Sequence, residues 1–365
     1  LPQLMSIITE LLSLPGPKLL HINTLKGKGY GPAESDPVGY HALAKIDPIE
    51  PIIIKKSPTY AHVFGQWVCE KARIDGRLMA ITPAMLGGSG LESFSKEFGE
   101  RLFDVAIAEQ HAITLAAGMA CEGAKPVVAI YSTFLQRGYD QFIHDIALQN
   151  LDILLAIDRA GVVGEDGATH TGAYDLAFLR CLPNVVVMAP SNAAEATAML
   201  NFGYAYCGPV AVRYPRGEAL EGPSSPAPIE LGRGQVIRLS GKSNAIAILN
   251  FGALLDKLIM VADTADATLV DMRFVKPLDE MLLKQLLLHH SSFVTIEDHS
   301  CIGGAGSAVS EWLVQQKTRV RLLCLGHEDA ALPHGTREQV LHNTGLSKAA
   351  ITAKIESWRA SLLAE

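Results

Sequence analysis

Apolar residues along the chain fall into two kinds of run. Short, unbroken, β-branched stretches alternate with longer ones in which apolar positions recur at helical spacing. The first kind predicts strands at LMAIT (78–82), FDVAI (103–107), PVVAIY (126–131), ILLAID (153–158), VVVMAP (185–190) and VAVRYP (210–215). After a gap it predicts further strands at AIAILNFG (245–252), TLVDMRF (268–274), FVTIED (293–298) and VRLLCLG (320–326). A strand that is apolar at nearly every position is covered on both faces, as in parallel sheets flanked by helices. The fold class is therefore α/β.

Two proline-containing stretches interrupt the alternation: residues 44–57, with IDPIEP, and residues 221–234, with EGPSSPAP. They divide the chain into a small piece (1–43), one α/β domain (58–220) and a second (235–365). In the small piece LMSIITELLSL reads as a helix, KLLHINTL as a strand, and KGKGYGPAESDPVGYH as a polar, glycine-rich loop. One helix and one strand bury no core, so 1–43 reads as the tail of a further domain. A start at Leu-Pro-Gln, without methionine, agrees with a fragment.

Composition narrows the class. With 365 residues, 48% hydrophobic and 19% charged, the chain folds. A net charge of −7 without a lysine or arginine block argues against nucleic-acid binding. No apolar run approaches the roughly 18 residues of a membrane span, and no signal-peptide pattern is present. The 6 cysteines are scattered singly, which argues against a zinc site or a disulfide framework.

GGAGSA (303–308) follows a strand and opens a helix, but its spacing suits a tight turn better than a dinucleotide fingerprint. GEDGATHTG (164–172) contains Asp-Gly, yet Asn184 comes too early and precedes a strand, so a diphosphate–metal motif is rejected. KGKGYG (26–31) could bring backbone N–H groups to a phosphate or simply be a solvated loop. More is carried by the polar residues at strand ends. Ligands bind at the carboxyl edge of open parallel sheets, and Glu109, Tyr131, Arg159 and Arg216 all fall there, with Asp166 and His170 on a following loop. Two arginines at one edge suit an anionic group such as phosphate. Glu109 lies between a strand and a helix of small residues (112–120), whose composition suits close helix–helix approach.

The stretches FDVAIAEQHAITLAAGMA, YSTFLQRGYDQFIHDIALQ, DRAGVVGEDGATHTG, AVRYPRG, LVDMRFVKPLD and GGAGSAV resemble the transketolase-like, thiamine-diphosphate-dependent enzymes. Within that group they are similar to the branch that condenses pyruvate with D-glyceraldehyde 3-phosphate, releasing CO2 and 1-deoxy-D-xylulose 5-phosphate. The resemblance implies that 58–220 is a pyrimidine-binding domain, that 235–365 is a transketolase-type C-terminal domain, and that 1–43 is the tail of a diphosphate-binding domain. It implies that Glu109 hydrogen-bonds N1′ of the cofactor's aminopyrimidine and that Phe134 stacks on that ring. Arg137, Lys26 and His41 would lie on the cofactor side. Arg159 and Arg216 would clamp the acceptor's phosphate with Tyr131, and Asp166 and His170 would orient the aldehyde or move protons. The Mg2+ ligands and an early histidine are expected in an N-terminal portion outside this sequence, so no residue here is assigned to metal and the chain alone is expected to be inactive. A homodimer in the bacterial cytoplasm, or in a plastid, completes the expectation.

Two other readings compete: the beta subunit of a 2-oxo acid dehydrogenase, and a non-catalytic metabolite-binding α/β fragment. The first would lack the GKGYGPAESDPVGYH segment and the arginine pair. In the C-terminal domain His299 and His334 are expected to be structural or at the surface.

Overall fold

The computed structural model describes residues 1–37, 39–40, 58–222, 227–242 and 245–364. It divides into two units, Leu1–Lys56 and Ser57–Glu365. In the first, the expected helix runs from Pro2 to Ser13, with a proline at its start where no N–H is needed. The stretch 18–25 was expected to be a strand, but it is irregular, without ladder bonds. A strand needs a neighbour to pair with, and the described residues of this unit supply none. A turn and a short helix, Gly31–Ser35, follow; Glu34 Oε1 accepts the Gly29 N–H at 2.7 Å. The proline-containing stretch 44–57 lies outside the described residues.

The second unit holds two sheets. Its strands are β1 (Leu78–Thr82), β2 (Leu102–Asp104), β3 (Lys125–Tyr131), β4 (Leu154–Asp158), β5 (Val186–Met188) and β6 (Val210–Arg213). They continue as β7 (Gln235–Arg238), β8 (Ile246–Phe251), β9 (Thr268–Asp271), β10 (Phe274–Lys276), β11 (Ser292–Ser300) and β12 (Arg321–His327). The first sheet has the order β10-β5-β6-β4-β3-β1-β2 and the second β12-β11-β8-β9-β7. All neighbours are parallel except β10 on β5 and β7 on β9. The α/β class is thus realised as two mixed sheets.

Alternation explains why β3 reads as an unbroken apolar run. Val128 and Ile130 face a core shared with Ala112, Ile113 and Phe142, whereas Val127 and Ala129 face Phe64, Trp67, Met199 and Leu200 on the opposite side. Each such fully buried aliphatic side chain contributes about 1.5–3 kcal/mol relative to exposure. On the second side, helix Tyr60–Ile74 is capped by Thr59, whose side chain accepts the His62 N–H. Trp67 Nε1 of that helix donates to Asn201 Oδ1 of helix Ala193–Ala205 at 3.0 Å.

The run read as one strand at 268–274 breaks in two. Arg273 takes a left-handed φ of 58°, and its guanidinium is held by Glu195 and, at 2.8 Å, by Gln235 Oε1. There the chain leaves the second sheet and adds β10 to the edge of the first. The GGAGSA turn behaves as a packing device: a Cβ at Gly304 would come within 2.2 Å of Glu297 Oε2, and one at Gly306 within 2.6 Å of Thr295 Oγ1. Glu297 accepts both the Ala305 and Gly306 N–H groups at 2.7 Å, and burial pushes its carboxyl up to about 7 despite those bonds. Among the described residues, no helix is long and apolar enough to cross a membrane.

Candidate active site

Glu109 is the first residue of helix Glu109–Cys121 and is only 1% exposed. Oε1 accepts from Arg137 Nη1. Oε2 is buried and, among the described residues, has no hydrogen-bond partner. Arg137 reaches it from an irregular helical run over 132–147, built of α, 3-10 and π turns. Such irregular turns recur at functional sites. The crossing with helix Glu109–Cys121 is close because Gly138 lacks a side chain. A Cβ on Gly138 would lie 2.9 Å from Ile113 Cγ1 and 3.1 Å from Glu109 O.

From Glu109 a chain of contacts runs along the carboxyl ends of β3 and β4. The Arg137 guanidinium lies 4.9 Å from the centroid of Phe134, and Phe134 is stacked on Tyr131 at 5.6 Å and 17°. The Arg159 guanidinium then lies 4.0 Å from the Tyr131 centroid. Burial pushes the Tyr131 phenol up to about 12, although Arg159 opposes the shift, so its O–H remains a donor. Arg159 has a left-handed φ of 58°. Its Nη1 donates to Gly88 O at 2.6 Å and to Asp158, while its Nε is buried without a partner among the described residues.

Asp158, the last residue of β4, is 1% exposed and is raised to about 6 by burial, against the pull of Arg159. Arg216 Nη1 donates to Val163 O at 3.0 Å and meets Glu165 at 3.3 Å and Asp166 at 3.1 Å. His170 stands edge-on to Phe134 at 5.3 Å, and its Nδ1 meets Thr169 Oγ1 at 3.0 Å.

Eight of the expected residues thus come together: Glu109, Tyr131, Phe134, Arg137, Arg159, Asp166, His170 and Arg216. Lys26 belongs to the other unit, and His41 lies outside the described residues. Sequence reasoning missed Gly88 and Asp158. The LGGSG cluster and the Asp-Arg pair in AIDRAG were the available signals. His334, expected to be structural or at the surface, is exposed, and its Nε2 donates to Glu165 O at 3.0 Å. His299 is structural as expected: it is fully buried, Nε2 accepts the Leu176 N–H at 3.0 Å, and burial lowers its pKa to about 4. Among the described residues, no group of three or more metal-ligating side chains occurs.

A Cβ on Gly88 would come within 1.7 Å of the Tyr131 hydroxyl and 3.3 Å of Arg159 Nη2. Gly88→Ala is therefore expected to displace Tyr131 and Arg159 and to cost about 1–3 kcal/mol of stability, the usual penalty of overpacking. Calorimetric unfolding checks this, and an unchanged stability would show that the contact relaxes without cost.

Residues 56–220 match the family model "Transketolase, pyrimidine binding domain", and residues 234–351 match "Transketolase, C-terminal domain". The chain belongs to the transketolase-like family. Relatives named 1-deoxy-D-xylulose-5-phosphate synthase include that of Pseudomonas entomophila, 53% identical over 370 residues, and that of Pseudomonas fluorescens, 54% identical over 364 residues. These alignments take in 99% and 97% of this transketolase-like chain but 58% and 57% of the relatives. The chain thus spans less than two thirds of their length.

Among solved structures, "Split gene transketolase, inactive beta4 tetramer" superimposes with a TM-score of 0.73 at 28% identity, covering 82% of this chain and 98% of that one. A transketolase from Campylobacter jejuni shares the fold, with a TM-score of 0.68 at 17% identity, over 84% of this chain and 48% of its own.

Proposed function

We propose that this chain forms the aminopyrimidine half of a thiamine-diphosphate site. With the diphosphate-binding portion that its relatives carry in their remaining length, it would convert pyruvate and D-glyceraldehyde 3-phosphate to 1-deoxy-D-xylulose 5-phosphate and CO2. The observation that carries this reading is Glu109 Oε2, a buried acceptor without a donor. Such an atom costs about 1–3 kcal/mol until a ligand donor meets it. An aminopyrimidine ring held against Phe134 offers that donor, so the residues present fit the cofactor. When bound, thiamine diphosphate supplies the carbon nucleophile and the electron sink for decarboxylation.

The chain's own residues divide the remaining work. Glu109 accepts a proton-bearing ring nitrogen, and Arg137 holds its other oxygen in place. Arg159 and Arg216 provide guanidinium N–H groups for the acceptor's phosphate; the unpartnered Arg159 Nε supports this role. Tyr131 donates its hydroxyl at the same edge. Asp166 and His170 face the aldehyde end, where His170 can carry a proton. Mg2+, a homodimeric assembly and a bacterial cytoplasmic location belong to the same reading, with the metal ligands in the complementary portion. The split-gene transketolase chain, matched over 98% of its own length and 82% of this one, forms an inactive tetramer, and this supports the need for a second portion.

The test is complementation. The chain is mixed with the separately produced N-terminal portion of the Pseudomonas relative, thiamine diphosphate and Mg2+, and product is followed by NMR. The chain alone should yield none and the mixture should yield 1-deoxy-D-xylulose 5-phosphate. Association without product would overturn the reading. In the active mixture, Arg216→Ala should raise KM for D-glyceraldehyde 3-phosphate about tenfold, as loss of a charge-assisted hydrogen bond predicts. The KM for pyruvate should hold.

A further inference from the structure

The loop that carries Asp166 and His170 is closed at its neck by paired backbone bonds. Gly161 N–H donates to Gly172 O at 2.8 Å, and Gly172 N–H returns a bond to Gly161 O at 2.9 Å. One wall of the loop belongs to the pyrimidine-binding domain, where Arg216 binds its tip and Thr133 Oγ1 donates to Thr169 O at 3.0 Å. The other wall is the C-terminal domain. Asp298 of β11 is 6% exposed; its Oδ1 accepts the Val162 N–H at 3.0 Å and His327 Nε2–H at 2.9 Å. Its Oδ2 accepts from Arg337 Nη2 at 3.0 Å.

Burial alone would raise the Asp298 carboxyl. The His327 hydrogen bond and the Arg337 charge instead hold it well below the usual carboxylate range. The junction has no slack. Gly161 has a φ of +78°, and a Cβ there would come 2.3 Å from Asp298 Cγ; one on Gly164 would come 2.7 Å from Arg337 N.

We propose that Asp298 is a positioning residue for the acceptor-binding loop: it holds the neck through the Val162 N–H, while His327 and Arg337 lock the carboxylate in register. The C-terminal domain thereby sets where Asp166 and His170 stand. The role rests on the reading that these two residues serve the aldehyde substrate, but the anchoring itself does not.

Hydrogen exchange on the full chain tests the anchoring without any turnover. Asp298→Ala should speed exchange of the 160–172 amides about tenfold, the loss of one charge-assisted hydrogen bond, and leave the rest of both domains unchanged. Asp298→Asn, which keeps an acceptor for Val162, should restore most of the protection. Where the alanine chain does not fold, Arg337→Gln and Gly161→Ala disturb the same junction and are measured instead. Unchanged loop exchange, or loosening spread over both domains, overturns the anchoring.

In the complemented enzyme these variants should raise KM for D-glyceraldehyde 3-phosphate and leave KM for pyruvate alone; an equal change in both overturns the positioning role. A wild-type mixture without product would instead refute the synthase reading, with exchange still deciding whether Asp298 holds the loop.

Discussion

Glu109→Gln should lower turnover of the complemented enzyme by more than about 100-fold, the usual scale of a lost proton-handling contact. The exchange keeps the volume of the side chain. Arg137, which donates to Oε1, will claim the amide oxygen of the new side chain. The amide NH2 is then left where Oε2 was, offering a donor to a ring nitrogen that itself bears a proton. Two donors facing one another cannot stabilise the required tautomer. The free chain should change little in stability, because a buried NH2 without a partner replaces a buried oxygen without one and the half-exposed Arg137 keeps its acceptor. Initial rates of CO2 release, paired with thermal melting of the chain, check both halves. A rate near that of the wild type would refute the role of Glu109.

The largest stability effect is expected at Asp175. Arg213, at the end of β6 and 4% exposed, donates through Nε and Nη2 to the two Asp175 carboxylate oxygens at 2.8 and 3.1 Å. Its Nη2 also reaches Gly172 O at 3.3 Å and Asp298 O at 3.2 Å, so one guanidinium ties the first sheet, the loop neck and the second sheet. Asp175→Asn leaves that charge buried and uncompensated, which should cost about 3–5 kcal/mol. The double change Asp175→Leu with Arg213→Met should cost much less, because no charge is left unpaired. Guanidinium denaturation of the three chains decides. A single-variant loss no larger than that of the double would show that the pair is not the source of the stability.

The core strands were legible because covered parallel strands are apolar at every position, and no tertiary information is needed to see that. β7 was not: Gln235–Arg238 is a short, half-exposed edge strand with no apolar run to mark it. The break at Arg273 was hidden by TLVDMRF, where Met272 and Phe274 keep the run apolar on either side of a turn whose Arg273 is held by Glu195 and Gln235, both distant in sequence. At the site, the strand-end residues were visible from their place at the sheet edge. The partner of Glu109 within the chain was not, because Arg137 reaches it only through the helix crossing that Gly138 permits. The C-terminal domain's hold on the loop was equally hidden, since Val162 and Asp298 stand 136 residues apart. The strand expected at 18–25 failed because an apolar run does not by itself supply a neighbour to pair with.

β10 also bears on how such a chain can be divided. The Pro/Ser stretch at 221–234 is where a gene could most easily be cut, yet a cut there would strand Phe274–Lys276 on one product and its pairing edge, Val187 and Met188, on the other. The first product would expose a raw sheet edge, open to pairing with other chains. The seam in the sequence and the seam in the fold lie on different sides of Arg273. The two sheets are therefore expected to unfold together, because β10 ties the chain of the second to the edge of the first.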